Sequence, residues 1–463
     1  MHDLNLRLKR LDAEIGLLLK EADELDFWYY LRVRVAMQNW GEVSEKISII
    51  NVRKLRMIIK LFYLSIGNLF RFRRNRAKKH SVKLYSTSTS CFFSEDNENN
   101  FIDAFSPCGE KNENSIYLIH AGNLSNINLL NWLYKRNDVI FDNILVKYLS
   151  FLLSKINYRI DKLTFRSKGI DAKSEEISSL LKSNGFSLTS VAINLSFRRF
   201  MIEKKLYQIL LKSLKINSGD ESFVVSAYTK VSLVWALKSL KLDVTEYQHG
   251  ISGVNHYGYD VDENIFGGKF RNRVIPDKFL AYNKYWQGLM KQCGHYKNGV
   301  EIHPYKKLVR AKKNGVLPSF LLGQSFVLFT GGFNDDELSI QFCKNAHLKL
   351  EKLELDVMLI FRPHPKDSIE RYEKLFENYQ NILVYSDFSV LTETLLCHCL
   401  AHVSVYSACH FDAIDVIGRT YVFHSETDKS ELEEHIVNRP DLFIRTHNGT
   451  SFVEKLVSTL DVT

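Results

Sequence analysis

Three short groups of residues in this chain are of the types and spacing that a reaction could use. In Glu246-Tyr247-Gln248-His249-Gly250 an apolar run ends on His249, which the pattern places at the carboxyl end of a strand, with Gly250 allowing the backbone to turn sharply. A neutral imidazole there can take the proton of an attacking hydroxyl, or it can simply hold the turn by a hydrogen bond. The loop that follows carries His256 and Tyr257 among glycines, and with Gln248 these are the candidate contacts on the acceptor side. In Phe361-Arg362-Pro363-His364-Pro365 two prolines stiffen the exit from another strand. Arg362 would offer a planar fork of donors to phosphate oxygens, and His364 could donate to an oxygen of a leaving nucleotide. In the third group Ser404 and Ser407 precede a helix expected to start near Ala408 or Cys409. Hydroxyls and free N–H groups at such a start can hold an anion, although serines there are also ordinary caps. Asp412, one turn into that helix, could accept from ribose hydroxyls. Gly331-Gly332, after the run Phe326 to Thr330, would let the backbone approach a phosphate or form a turn.

These groups need strands that end near one another. From His80 onward short apolar runs alternate with helical stretches, which implies parallel strands with crossover helices. The expected class is α/β, with two Rossmann-like domains facing a cleft and a helical N-terminal extension. The expected division is 1–80 for a basic helical extension, 81–300 for an acceptor-side domain and 301–463 for a nucleotide-sugar-binding domain. Lys291 to Pro318 reads as a linker, and five runs, from Phe326 to His424, as the second set of strands. Open α/β sheets bind ligands at the carboxyl ends of their strands, where all the singled-out residues fall.

The chain of 463 residues, 45% hydrophobic and 12% aromatic, is long enough for two cores. Seven cysteines without regular spacing, no leader and no run of 18 apolar residues point to a cytoplasmic protein. Cys397, His398, Cys399, His402, Cys409 and His410 are zinc-type ligands, but not at zinc spacings, so no metal is expected. The formal charge of +9 is uneven, because Arg71, Arg73, Arg74, Arg76, Lys78 and Lys79 follow the apolar stretch Met57 to Leu69. That combination suits either a core helix with a charged loop or peripheral contact with the inner face of an anionic membrane. No nucleic-acid-binding pattern accompanies it.

The order of motifs is Gln248-His249-Gly250, His256-Tyr257-Gly258-Tyr259, Pro276-Asp277-Lys278-Phe279-Leu280, then Arg362-Pro363-His364-Pro365, then Ser404-x-x-Ser407 and Asp412. This order resembles bacterial capsule, O-antigen and lipooligosaccharide glycosyltransferases of the GT-B superfamily, including sialyltransferase and Kdo-transferase families that share a His-Pro motif. The resemblance implies a metal-independent transfer from a nucleotide sugar, CMP-linked in several of these families, to a lipid-linked or growing glycan, with no cofactor. It makes His249 the base and Arg362, His364, Ser404, Ser407 and Asp412 the donor-binding set. HP-type sialyltransferases carry an acidic pair before the glycine where this chain has Gln248-His249. His249-Gly250 also resembles the Trp-His-Gly motif of teichoic-acid polymerases, which implies CDP-polyol phosphotransfer as an alternative. A third alternative is a non-catalytic assembly partner.

Overall fold

A computed structural model describes residues 2–19, 22–39, 52–76, 81–88, 115–120, 139–164, 168–248, 250, 252–253, 256–262, 271–293, 296, 299–303, 306–331, 337–364, 367–387, 390–405, 407, 409–423 and 433–460. The chain divides into two compact units, Met1–His303 and Pro304–Thr463.

The first unit holds seven strands: β1 (Lys83–Ser88), β2 (Ser115–His120), β3 (Val139–Ile140), β4 (Glu221–Val225), β5 (Asp243–Tyr247), β6 (Lys278–Ala281) and β7 (Val300–Ile302). They lie in the order β3-β2-β1-β4-β5-β6-β7, all parallel. Its helices longer than a single turn are α1 (His2–Leu18), α2 (Ala22–Asn39), α3 (Val52–Arg76), α4 (Leu149–Thr164, entered through a π-helical turn at Asn143–Tyr148), α5 (Lys168–Ser183), α6 (Ser190–Ser213), α7 (Val231–Ser239) and α8 (Lys284–Gln292). Thr189 caps α6 by accepting from the Ala192 N–H, and Asn283 caps α8 by accepting from that of Trp286 at 3.0 Å. Helix α3 covers the sheet edge at β3. Its Asn68 donates to the Val139 carbonyl at 2.8 Å, and its Ser65 hydroxyl accepts the Phe141 N–H at 3.0 Å. Groups left open at the end of a sheet are thereby closed.

The second unit has β8 (Phe326–Thr330), β9 (Met358–Arg362), β10 (Ile382–Val384), β11 (Ala401–Ser404), β12 (Thr420–Phe423) and β13 (Phe443–Thr446), in the parallel order β10-β9-β8-β11-β12-β13. Its helices are α9 (Lys306–Asn314), α10 (Glu337–Lys352), α11 (Ile369–Phe376), α12 (Thr392–Leu396), α13 (Cys409–Val416), α14 (Glu433–Asn438) and α15 (Gly449–Leu460). Every residue of β8 is buried, which is why parallel central strands read as unbroken apolar runs instead of alternating ones. Counted within the unit the order is 3-2-1-4-5-6, that of the Rossmann fold.

Two Rossmann-like α/β units with helices ahead of their strands, the class the sequence pattern implies, are what the structure holds. The stretch read as a linker, 291–318, instead contains β7 and α9, both too short to register as periodic patterns. The last strand, β13, was not among the five runs, because Arg445 interrupts its apolar character.

The N-terminal helices belong to the first unit and are wedded to its interior. Arg32 and Asp12 are fully buried, with Arg32 Nε 2.9 Å and 3.1 Å from the two carboxylate oxygens, and the Trp28 indole also donates to Asp12. On α2, Asp26 pairs with Arg273 at 2.7 Å and with Lys204 of α6 at 3.7 Å. A buried charge is tolerated where it is paired and hydrogen-bonded, and α2 is held by two such sites.

Candidate functional site

The carboxyl edge of the first sheet is organised around a carboxylate. Val244, Glu246 and Gln248 share the inward face at strand period, and all three are buried. Glu246 accepts from the Ala227 N–H at 2.8 Å, from the Tyr259 hydroxyl at 2.9 Å and from the Tyr296 hydroxyl. Burial pushes its pKa up to about 7, against the pull of those donors. Gln248 brackets the strand exits: its Oε1 accepts the Tyr282 N–H at 2.8 Å and its Nε2 donates to the Gly250 carbonyl at 3.0 Å. Its role in the structure is therefore to shape the turn, with both ends of the amide engaged inside the chain. Gly250 has φ +76°, which favours glycine. His249 itself lies outside the described residues.

His256 and Tyr257, expected to face an acceptor, are buried and stacked on each other with ring centroids 4.5 Å apart. The His256 Nδ1 accepts the Gly258 N–H, and burial with the nearby Arg32 charge pushes its pKa down to about 3, so the ring is neutral. The N-terminal helices grip this loop. Arg32 donates to the carbonyls of Tyr257 and Asp260, Tyr29 donates to that of Gly258 at 2.8 Å, and Asn5 and Lys9 both bind the Asp260 carboxylate. A Cβ at Gly258 would stand 2.5 Å from the Tyr228 ring, so only glycine fits there. The glycines and aromatics that suggest ligand contact in the sequence serve a packed junction between loop and helices.

Sequence reasoning missed His120, which ends β2 at the same sheet edge. It is partly buried, its Nδ1 has no hydrogen-bond partner among the described residues, and burial together with Lys147 and Lys230 pushes its pKa down to about 4 despite Asp142. The sequence signal was a histidine next to the end of the run Ile116 to Ala121. Glu246 was missed as well, although a carboxylate at an inward strand position beside the Gln-His-Gly turn was a readable sign.

In the second unit the strand order reverses between β8 and β11, and an open α/β sheet has its ligand crevice at such a reversal. Gly331 leaves β8 there, and Ser404 ends β11. The Ser404 side chain is fully buried and donates to the Thr330 carbonyl, and the Gly331 N–H donates to the Arg362 carbonyl at 2.8 Å. Ser404, read as a phosphate contact, and Gly331, read as either a phosphate approach or a turn, both join the strand ends here. Gly332 lies outside the described residues. Ser407 is half-buried and accepts the Cys409 N–H at 3.1 Å, capping α13 while keeping its own hydrogen to donate. Asp412, in the first turn of α13, is half-buried, and Gly418, with φ +80°, follows the helix.

Arg362 departs most from expectation. It is 4% exposed, and its guanidinium turns back to the carbonyls of Val390 at 2.7 Å, Asp387 at 2.9 Å and Tyr385 at 3.5 Å, with Nε 3.3 Å from the Thr392 hydroxyl. The fork that could have gripped a phosphate grips the loop between β10 and α12. His364, two residues on, is half-buried, and its carbonyl accepts the Asp367 N–H. Beneath the reversal, His402 bridges Thr330 and Thr420 at 2.8 Å each, and His410 reaches Thr420 at 2.7 Å. Burial drives both imidazoles to the neutral form, His410 to about 3. Among the described residues no group of three or more His, Cys, Asp or Glu could hold a metal ion.

No protein-family model matches the chain, and neither does any curated protein sequence. Solved structures do match over most of its length. They include S. aureus MnaA with UDP (11% identity, TM-score 0.44, 81% of this chain and 88% of that one) and a UDP-N-acetylglucosamine 2-epimerase from Rickettsia bellii (9%, 0.42, 82% and 88%). Another is an α,α-trehalose 6-phosphate synthase from Burkholderia multivorans (8%, 0.42, 83% and 92%).

Proposed function

We propose that the chain is a metal-independent glycosyltransferase that moves a sugar from a nucleotide-sugar donor to a glycan or lipid-linked acceptor in bacterial surface-polysaccharide synthesis. The observation that carries this reading is the strand-order reversal of the second sheet, with Ser407, Asp412 and the start of α13 following one of its strands. In this reading the second unit holds the nucleotide: Ser407 and the α13 N-terminus meet phosphate, Asp412 meets ribose, and His364 donates to the departing oxygen. Arg362, Ser404 and Gly331 position these loops without touching the donor. His249 takes the proton of the acceptor hydroxyl as its oxygen bonds to the anomeric carbon, and the bond to the nucleotide phosphate breaks. His120, neutral and at the same edge of the first sheet, is the competing base. No cofactor takes part.

The His249-Gly250 pair also supports CDP-polyol phosphotransfer by the same residues, and phosphorus in the product distinguishes the two reactions. The test is a thermal-shift series of the full chain with CMP, CDP, UDP, GDP and dTDP. A ligand of the folded state present at a hundred times its dissociation constant adds about 2.7 kcal/mol of stability. One nucleotide is expected to raise the transition and His364→Ala to abolish the rise. No shift with any of them at millimolar concentration overturns the reading. With the donor known, His249→Ala and His120→Ala assign the base, because loss of turnover with donor affinity kept marks it.

A further inference from the structure

Helix α4 is inside out. Ser150, Ser154, Asn157 and Asp161 form one polar stripe on the side toward α6: Ser150 and Ser154 are buried, and Ser150 donates to Glu203 of α6 at 3.3 Å. Arg198, also of α6, donates to Asn157 at 2.7 Å and pairs with Asp161. The apolar residues face outward, with Leu152 56% and Ile160 52% exposed and Leu149, Phe151, Leu153 and Ile156 exposed beside them. The hydrogen bonds favour this rotation, since turning the helix to bury its leucines would take Ser150 from Glu203 and both Asn157 and Asp161 from the Arg198 guanidinium. A run of large apolar side chains held in the open by a buried polar network marks an interaction surface.

What covers it is indicated by charge. Helix α3 packs beside the turn that leads into α4 and buries Leu61, Ser65, Asn68 and Phe72, so its other side exposes Ile59, Phe62, Tyr63 and Phe70. Neither 52–76 nor 143–160 contains an acidic residue, while Lys60, Arg71, Arg73, Arg74, Lys155 and Arg159 are exposed along the two helices. No described helix is long and apolar enough to cross a bilayer. An apolar face flanked by Lys and Arg on a helix that does not span fits the interface of an anionic membrane, with leucines among the acyl chains and basic groups at the headgroups.

We propose that the outward faces of α4 and α3 form one surface that lies on an anionic lipid bilayer. The sequence pointed only to residues 57–79; α4 is the larger part, and it stands independently of the donor reading. The test is co-sedimentation of the full chain with vesicles of phosphatidylcholine, with and without about one part in three of phosphatidylglycerol. Binding to the anionic vesicles is expected to be at least about tenfold tighter and to fall with salt. Leu152→Ser with Ile156→Ser is expected to weaken it by a further factor of about ten or more with an unchanged urea midpoint, because both side chains are exposed. Absence of vesicle binding, or binding unchanged in the variant, overturns the proposal. So does a self-associating chain whose dimer the same substitutions disperse, which assigns the face to a second copy.

Discussion

Replacing Glu246 by Gln isolates the energetic cost of the carboxylate at the heart of the first sheet. The folded pKa is about 7 and the ordinary value 4.5, a difference of roughly two and a half units. At 1.36 kcal/mol per unit this is about 3 kcal/mol. The sign follows from which state binds the proton. Below pH 4.5 the carboxyl is neutral folded and unfolded, and its contribution to stability is fully present. As pH rises toward 7 the unfolded chain ionises while the folded one holds its proton, so stability falls, and the loss is complete above the folded pKa. In Glu246→Gln the volume remains, with an amide oxygen to accept from Ala227 and Tyr259 and an amide NH2 to donate to the Tyr296 hydroxyl, but the titration does not. The stability of the variant relative to the native chain should therefore rise by about 3 kcal/mol between pH 4.5 and 8. His256, lowered to about 3, works oppositely, contributing stability that is lost as pH falls below its ordinary 6.5, and it cancels in the difference. All five tryptophans lie before residue 304, so intrinsic fluorescence in urea follows the first unit alone, which removes the ambiguity of a two-domain melt. A pH-independent difference between the two chains would refute the buried, part-protonated state of Glu246.

Arg32→Met should destabilise the first unit by about 3–5 kcal/mol, since it leaves the Asp12 carboxylate buried without its cation. Adding Asp12→Asn should recover part of that loss, in the same fluorescence-detected denaturation. Arg362→Lys should lower the stability of the second unit by about 2–3 kcal/mol, because one ammonium cannot replace a fork aimed at three carbonyls. Calorimetry checks this; a Lys variant as stable as the native chain would mean the fork is dispensable to the loop.

The strands of the second unit were legible because central parallel strands such as β8 and β9 are continuous apolar runs that end on turn residues. The edges were not. Strands β3 and β7 have two and three residues, too few for any period to show. At the candidate site the sequence placed residues at strand ends but could not say which way their side chains turn. Arg362 and Ser404 sit where the pattern puts them and spend their donors on the chain's own carbonyls. Likewise Tyr257 and Gly258 suggested a ligand-facing loop, and only the fold reveals that Arg32 and Tyr29, more than 200 residues away in sequence, satisfy it. The partner of a buried polar group is usually remote in sequence, so the sequence signals that a group needs a partner without naming it.

The two sheet edges are equipped for different work. At the carboxyl edge of the first sheet Glu246 titrates near neutrality and His120 stays neutral, so protons can be held or moved there. At the carboxyl edge of the second sheet His402 and His410 are sunk in a threonine network and locked neutral, while the groups nearer the surface are the His364 imidazole, a serine hydroxyl, a carboxylate and a helix N-terminus. Under the proposed function that edge orients an anion and a ribose, and His364 supplies the proton of the departing oxygen. A transfer reaction needs both: deprotonation of the acceptor and a resting place for the departing phosphate. The proposed function therefore assigns the acceptor's base to the first unit and the donor to the second, and this assignment is the same whichever of His249 and His120 takes the proton.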